Sequence, residues 1–189
     1  MAQIRLVDAA KFFKGQSHQI AAWNGLQETL TEKQLSDFTE LYRTPETGAK
    51  DPFRPSSPFS HQLTPNVSYG EFALQSPERR FHQQHQCDTA MVLAQFVQKA
   101  RDTFNCPAVI TSGYRPPRIN TAVGGAVNSE HLYNTPSTGA VDFYLDGMPV
   151  KELQDWADRV WNYSLGYGAP KGFIHVGVRP GRPRVRWDY

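Results

Sequence analysis

Two histidines and one aspartate in the C-terminal half of the sequence have the residue types of a metal site. His131 closes the run Ser129-Glu130-His131, Asp142 lies in a hydrophobic run, and His175 closes Phe173-Ile174-His175. Two imidazoles and one carboxylate can bind Zn²⁺ and leave its fourth position open, as catalytic zinc sites do. If the three side chains converge, the site would activate water or polarise a carbonyl group.

The candidate ligands lie in or beside segments with strand patterns. Short β-branched or apolar runs predict strands over 107–112, 139–145, 172–178 and 185–187. Alternate residues of a strand share a face, so His175 is expected to face Asp142 if their strands are neighbours.

Helices and turns connect these strands. Apolar residues at helical spacing predict one helix that begins at an N-cap Asp88 and ends near Phe104, and a second from Pro149 to Trp161. Residues 115–117 are interpreted as a turn and residues 123–126 as a glycine loop. Together these elements predict an α+β domain over residues 68–189, with an antiparallel sheet and flanking helices.

The N-terminal third has a different texture. Residues 1–43 predict a small helical segment with helices near 17–29 and 32–43, where Thr31 and Gln34 form a capping-box pattern. Residues 44–67 contain five prolines, which indicates a linker or an extended arm on the surface.

Composition excludes several classes of protein. The chain has 189 residues, 39% of them hydrophobic, which suits one domain with a small extra segment. The net charge of +2 is too mild to indicate a nucleic-acid partner, and no apolar run is long enough for a membrane helix. Met1 to Leu6 lacks the pattern of a secretory signal. Cys87 and Cys106 flank the predicted helix about 28 Å apart, so we expect free thiols.

Several short motifs recur in the order of a known family. They are Thr111-Ser112-Gly113-Tyr114-Arg115, Asn120, Gly124-Gly125, Ser129-x-His131, Ala140-x-Asp142 and Phe173-Ile174-His175. This pattern, over residues 68–189, resembles the peptidase M15 family of zinc D-alanyl-D-alanine carboxypeptidases and dipeptidases. The resemblance implies an M15/hedgehog-like fold with His131, Asp142 and His175 as zinc ligands. It also implies that Arg115 binds the substrate carbonyl or its oxyanion, and that Ser129 hydrogen-bonds the substrate near the metal.

The sequence departs from the family pattern in two places. The interval from His131 to Asp142 is longer than the family's, and the extra residues near 134–138 have turn composition, which an inserted loop tolerates. Relatives carry a proton-transferring residue three positions before the last histidine or two after it, where this chain has Gly172 and Gly177. Glu130 and Asp146 are the candidate bases that remain nearby in sequence.

Aromatic and basic residues near these motifs are further candidates. Tyr114, next to Arg115, and Tyr167, in the predicted glycine-bounded loop Gly166-Tyr167-Gly168, are candidate substrate-binding residues. Arg115 has the alternative of a salt bridge with Asp142. A last group of cations is interpreted as a solvated edge: Arg179, Arg182, Arg184 and Arg186.

The resemblance implies a zinc-dependent peptidoglycan peptidase that cuts near a D-amino acid in stem or cross-link peptides. Without a secretory signal, we expect it to reach the wall as a phage endolysin released by a holin or as a virion component among other virion proteins, and otherwise to be cytoplasmic. Two alternatives stay open. One is a catalytically weak or inactive zinc-binding assembly module, such as a phage tail component, and the other is a cytoplasmic dipeptidase.

Overall fold

The computed structural model describes residues 52–181 and 184–189, together with the backbone of residues 3–5 and 29–31. The strands are β1 (Gln3–Arg5), β2 (Thr29–Thr31), β3 (Gln62–Thr64), β4 (Val67–Ser68), β5 (Ala108–Ser112), β6 (Gly139–Leu145), β7 (Ser164–Tyr167), β8 (Ile174–Val178) and β9 (Val185–Asp188). The α-helices are α1 (Tyr69–Phe72), α2 (Gln84–Phe104), α3 (Pro117–Ala122) and α4 (Val150–Val160). Short 3₁₀ turns span Pro77–Arg79, Glu130–Leu132 and Ala169–Lys171.

A five-stranded sheet in the order β5-β6-β8-β7-β9 carries the α+β fold, which confirms the predicted class. Strands β5, β6, β8 and β7 pair antiparallel as expected, but β7 and β9 pair parallel, so the sheet is mixed. Strand β7 was interpreted as a loop because of its glycines. Gly166 instead lies in the strand, where a Cβ would come within 2.6 Å of the Tyr189 ring. The missing side chain lets aromatic rings lie on the sheet.

Helix α2 begins one turn earlier than predicted. Its N-cap is Gln83, and Gln86 closes a reciprocal capping box by accepting the Gln83 backbone N–H at 3.1 Å, so Asp88 lies inside the helix. Glutamine at the N3 position can satisfy the free amides of a helix start without Asp88. Cys87 lies in the first turn of the helix and Cys106 two residues past its end, and both are free thiols.

Aromatic rings join α2 to the sheet and to α4. Phe96 of α2 stacks on Trp156 at 5.3 Å and contacts Trp161 at 4.4 Å, while its edge meets Phe143 of β6 at 6.5 Å. Phe96 and Phe143 are buried. Since Phe143 follows Asp142 directly in β6, this packing fixes the strand that carries the candidate ligand.

The core reaches back into the proline-rich region. Phe53, Leu63 and Val67 are buried and belong to the same hydrophobic cluster as the sheet. Residues 44–67 were predicted to be a linker or an extended arm on the surface, and the burial of these three side chains places part of the core before residue 68.

The helices predicted over 17–29 and 32–43 lie outside the described residues, except at one end. Thr29 and Thr31, expected to end one helix and cap the next, lie in β2, which pairs antiparallel with β1.

The segment predicted as a turn at residues 115–117 leads into helix α3. Pro117 is its first residue, a position where the missing N–H of proline has no effect on the hydrogen bonding of the helix. No helix in the described parts of the chain is both long and apolar enough to cross a membrane.

Candidate metal centre

The fold brings His131, Asp142 and His175 together, as the sequence predicted. Strands β6 and β8 pair Asp142 directly with His175, and the 3₁₀ turn Glu130–Leu132 presents His131 from the side. One ligand atom from each residue lies within 4.8 Å of the others, and all three residues are buried.

His131 has one nitrogen fixed and the other without a partner. Its Nδ1 lies 2.7 Å from the carbonyl oxygen of Gly113, so Nδ1 carries the proton and Nε2 carries a lone pair. That Nε2 is buried, makes no hydrogen bond and lies 3.1 Å from Asp142 Oδ2. Burial lowers the pKa of His131, which keeps the imidazole neutral. A buried lone pair facing a carboxylate calls for a cation between them.

His175 lies between two carboxylates. Its Nδ1 is 2.8 Å from Asp142 Oδ1, and its Nε2 is 2.9 Å from Glu130 Oε2. Burial by itself would lower the pKa of His175, but the hydrogen bonds to Asp142 and Glu130 raise it to about 9. If Glu130 holds the Nε2 proton, Nδ1 is free to join the Asp142 carboxylate as a metal ligand.

The donor set therefore fits a divalent metal. His131 Nε2, His175 Nδ1 and the Asp142 carboxylate supply two nitrogens and oxygen, the combination expected for zinc with an open position. The outer nitrogen of each histidine already has a partner that orients the ring, namely the Gly113 carbonyl and the Glu130 carboxylate.

Glu130 is buried and surrounded by donors. Besides His175, it accepts hydrogen bonds from Ser164 Oγ at 2.7 Å and from Arg179 Nε at 2.5 Å. Burial raises the pKa of Glu130, but these donors, His175 foremost, lower it overall, so the group is a carboxylate. A Cβ on Gly177 would overlap Glu130 Oε2. The carboxylate therefore occupies space that only glycine at 177 leaves open.

A cavity of about 490 Å³ opens beside the cluster. Arg115 and Ser129, both predicted site residues, line it. The Arg115 Nη2 atom lies 3.3 Å from Asp142 Oδ2, while its buried Nε has no partner. Arg115 thus pairs with Asp142 and still has a donor to offer. Ser129 Oγ accepts the His131 backbone N–H at 3.3 Å, which caps the 3₁₀ turn.

Three other candidates lie outside the cluster. Asp146 follows the end of β6 and is exposed, and its N–H bonds the Pro107 carbonyl, at the opposite end of β6 from Gly139. Tyr114 is buried against Phe81 and Tyr133 in the core. The Tyr167 hydroxyl donates to Asp158 of α4 at 3.1 Å.

Ser164, Arg179 and Tyr189 belong to the site but were not predicted. The Tyr189 hydroxyl lies 3.0 Å from His175 Nδ1. A period-2 pattern could have found it, because Trp187 and Tyr189 share a face of the extended C-terminal run, and both rings contact His175.

Three of the four cations interpreted as a solvated edge are paired instead, and the fourth, Arg182, lies outside the described residues. Arg179 bonds the buried Glu130, and Arg184 and Arg186 both bond Asp158. Opposite charges on facing elements, invisible in the local sequence, account for the difference.

Comparison with known families agrees with this geometry. The family model described as Peptidase M15 matches residues 65–177, a range that includes His131, Asp142 and His175. A search of curated proteins gave no match.

Proposed function

Because the chain belongs to the peptidase M15 family of metal-dependent peptidases, we propose that it is a zinc-dependent peptidoglycan peptidase. It would hydrolyse a peptide bond near a D-amino acid in a stem or cross-link peptide. The observation that carries the proposal is the buried ligand set at the cavity, in which His131 Nε2 has a lone pair and no partner.

The chain's own residues would hold the metal and bind the substrate. His131, Asp142 and His175 would hold the metal, which when bound supplies a Lewis acid and lowers the pKa of water to about 7. Arg115, which lines the cavity beside Asp142, would bind the carbonyl oxygen of the substrate. A fixed cation at that place stabilises the transition state more than the ground state.

Glu130 would serve as a positioning residue. In the described part of the chain its carboxylate accepts hydrogen bonds from His175, Ser164 and Arg179, which together hold it against the outer nitrogen of His175. This arrangement orients the imidazole toward Asp142.

The charge of the cavity supports a peptidoglycan substrate. Arg115, Lys171 and Arg179 line it, and while Arg115 pairs with Asp142 and Arg179 with Glu130, Lys171 has no ion-pair partner among the described contacts. The remaining positive charge suits the carboxylate groups of stem peptides.

The test uses purified sacculi and the full chain with added Zn²⁺. We expect release of new amino groups that a chelator abolishes and Zn²⁺ restores, and no release by His131→Ala. Zn²⁺ should also raise the Tm of the wild type but not of His131→Ala, because a ligand that binds only the folded state stabilises it. Stoichiometric zinc binding without any cleavage would contradict the proposal.

That contrary result would favour the second candidate, a zinc-binding assembly module. The observation behind it is that Gly172 and Gly177 offer no proton-transferring group beside His175. In such a module His131→Ala would lower stability, and the wild type would release no amino groups from any sacculi.

A further inference from the structure

The phenol oxygen of Tyr189 lies beside the candidate metal ligand His175. We propose that its phenol is a catalytic residue that donates a hydrogen bond to the carbonyl oxygen of the bond being cut. This inference rests on the proposed peptidase function and adds a second donor beside Arg115.

The phenol is placed to meet a substrate in the cavity. Its oxygen lies 3.0 Å from His175 Nδ1, the nitrogen that faces Asp142, and Tyr189 lines the cavity together with Arg115. Tyr189 is 43% exposed, whereas its hydroxyl contacts the buried His175.

The ring of Tyr189 packs against Gly166, Phe173 and Lys171. A Cβ on Gly166 would come within 2.6 Å of the ring, so the ring packs directly against this glycine of β7. Phe173 meets it edge-on at 5.1 Å, and Lys171 Nζ lies 5.8 Å from the ring centre. These contacts fix the position of the hydroxyl before the substrate binds. A hydrogen-bond donor that is already in position needs no reorganisation during the reaction.

The chemistry requires such a donor. Hydrolysis adds the oxygen of one water to the carbonyl carbon and breaks the C–N bond. The two protons of that water end on the departing nitrogen, so the products are a carboxylate and a protonated amine, and negative charge grows on the carbonyl oxygen on the way. A neutral phenol stabilises that charge by hydrogen bonding and keeps its own proton throughout. Arg115 would contact the same oxygen, so the two residues would share the role.

The test compares Tyr189→Phe with Tyr144→Phe, which removes a phenol from a strand residue that does not line the cavity. We expect Tyr189→Phe to lower kcat on sacculi about 10²-fold with little change in KM. Zn²⁺ affinity, measured by competition with a chromogenic chelator, should stay at the wild-type value. Tyr144→Phe should match the wild type in all three measurements.

A phosphinic analogue of D-alanyl-D-alanine provides a readout that does not depend on turnover. Its tetrahedral oxygens mimic the developing oxyanion, so Tyr189→Phe should bind it about 10²-fold more weakly by calorimetry, while binding of D-alanine is unchanged.

Each other outcome decides against the inference. Unchanged kcat and phosphinate affinity in Tyr189→Phe would overturn it, and a higher kcat would show that the phenol obstructs the cavity. A parallel fall in Zn²⁺ affinity would make the phenol a metal ligand rather than a substrate donor. If the wild type itself neither cleaves sacculi nor binds the phosphinate, the proposed function fails, and the role of Tyr189 fails with it.

Discussion

At the scale of single residues, His175 is the centre of the site because carboxylates hold both of its nitrogens. Asp142, on the neighbouring strand, contacts Nδ1. Glu130, the residue just before His131, contacts Nε2. The Glu130 side chain reaches His175 through the space that Gly177 leaves. Glycine at position 177 therefore provides no proton-transferring side chain, but it leaves room for the Glu130 carboxylate.

Loss of the Glu130 charge should weaken metal binding. We expect Glu130→Gln to reduce Zn²⁺ affinity about 10- to 100-fold, because the outer partner of a ligating histidine orients its ring and raises its basicity. Competition with a chromogenic chelator measures the affinity, and circular dichroism checks the fold. Glu152→Gln, an exposed change of the same kind on α4, should leave the affinity unchanged.

Gly177→Ala should produce the same defect without removing a charge, since the new Cβ displaces the Glu130 carboxylate. The two substitutions act on one contact, so the double variant should lose little more affinity than either single variant. Full additivity, or wild-type affinity in Glu130→Gln, would show that Glu130 does not orient His175.

The ligands could be predicted from sequence, but their partners could not. His131, Asp142 and His175 stand in recognisable motifs, and strand periodicity is enough to place Asp142 opposite His175. The contacts of Glu130 with Ser164 and Arg179 join residues far apart in the chain. They depend on the space beside Gly177, which no local sequence pattern predicts.

At the scale of elements, strand β9 connects the site to helix α4. Successive residues of β9 face opposite sides of the sheet. On one side the ring of Trp187 contacts His175. On the other side Arg186 donates hydrogen bonds to Asp158 of α4 and to the Trp161 carbonyl. The arginine face therefore anchors the strand whose aromatic face covers the metal centre.

Asp158→Asn should loosen this anchor in a pH-dependent way. The hydrogen bond from Arg186 is the main cause that lowers the pKa of Asp158 below its ordinary 3.8. A lowered folded-state pKa stabilises the fold above that pH, and the effect is lost as the pH falls through the lowered value. We expect Asp158→Asn to reduce Tm by a few degrees near pH 7, since a partly exposed ion pair contributes about 1 kcal/mol or less.

The Tm difference between Asp158→Asn and the wild type should shrink as the pH falls below about 3.8. Asp155→Asn is the matched control, because Asp155 lies on the same helix and pairs only with the exposed Lys151 in the described contacts. Equal Tm losses for both variants at pH 7 would mean that the β9 anchor contributes nothing.

The elements themselves were predictable where a long pattern defined them. Strand β6 and helix α4 follow from continuous apolar patterns, and their positions agree closely with prediction. Strand β7 was missed because its residues Gly166 and Tyr167 suit a loop as well as a strand, and only pairing with β8 and β9 decides between them. The parallel pairing of β9 is likewise a property of the assembled sheet.

At the scale of the whole molecule, the hydrophobic core spans more of the chain than the family motifs do. The motifs begin at Thr111, whereas the core already includes Phe53 and Leu63. The sequence did not predict that these two side chains belong to the core, because the prolines around them are typical of a linker or an extended arm. Their burial means that the arm stabilises the domain that carries the metal centre.

Truncation tests where the stable unit begins. We expect the chain 52–189 to unfold cooperatively and to keep wild-type Zn²⁺ affinity, whereas 69–189 should fail at both. The shorter chain lacks Phe53, Leu63 and Val67, and the loss of a buried Phe or Leu side chain costs about 2–5 kcal/mol each. Two such losses approach the 5–15 kcal/mol that typically separates folded from unfolded domains. Leu63→Ala in the full chain is the graded control, which should lower Tm yet leave the metal centre intact. A chain 69–189 as stable as 52–189 would show that the arm only lies on the surface.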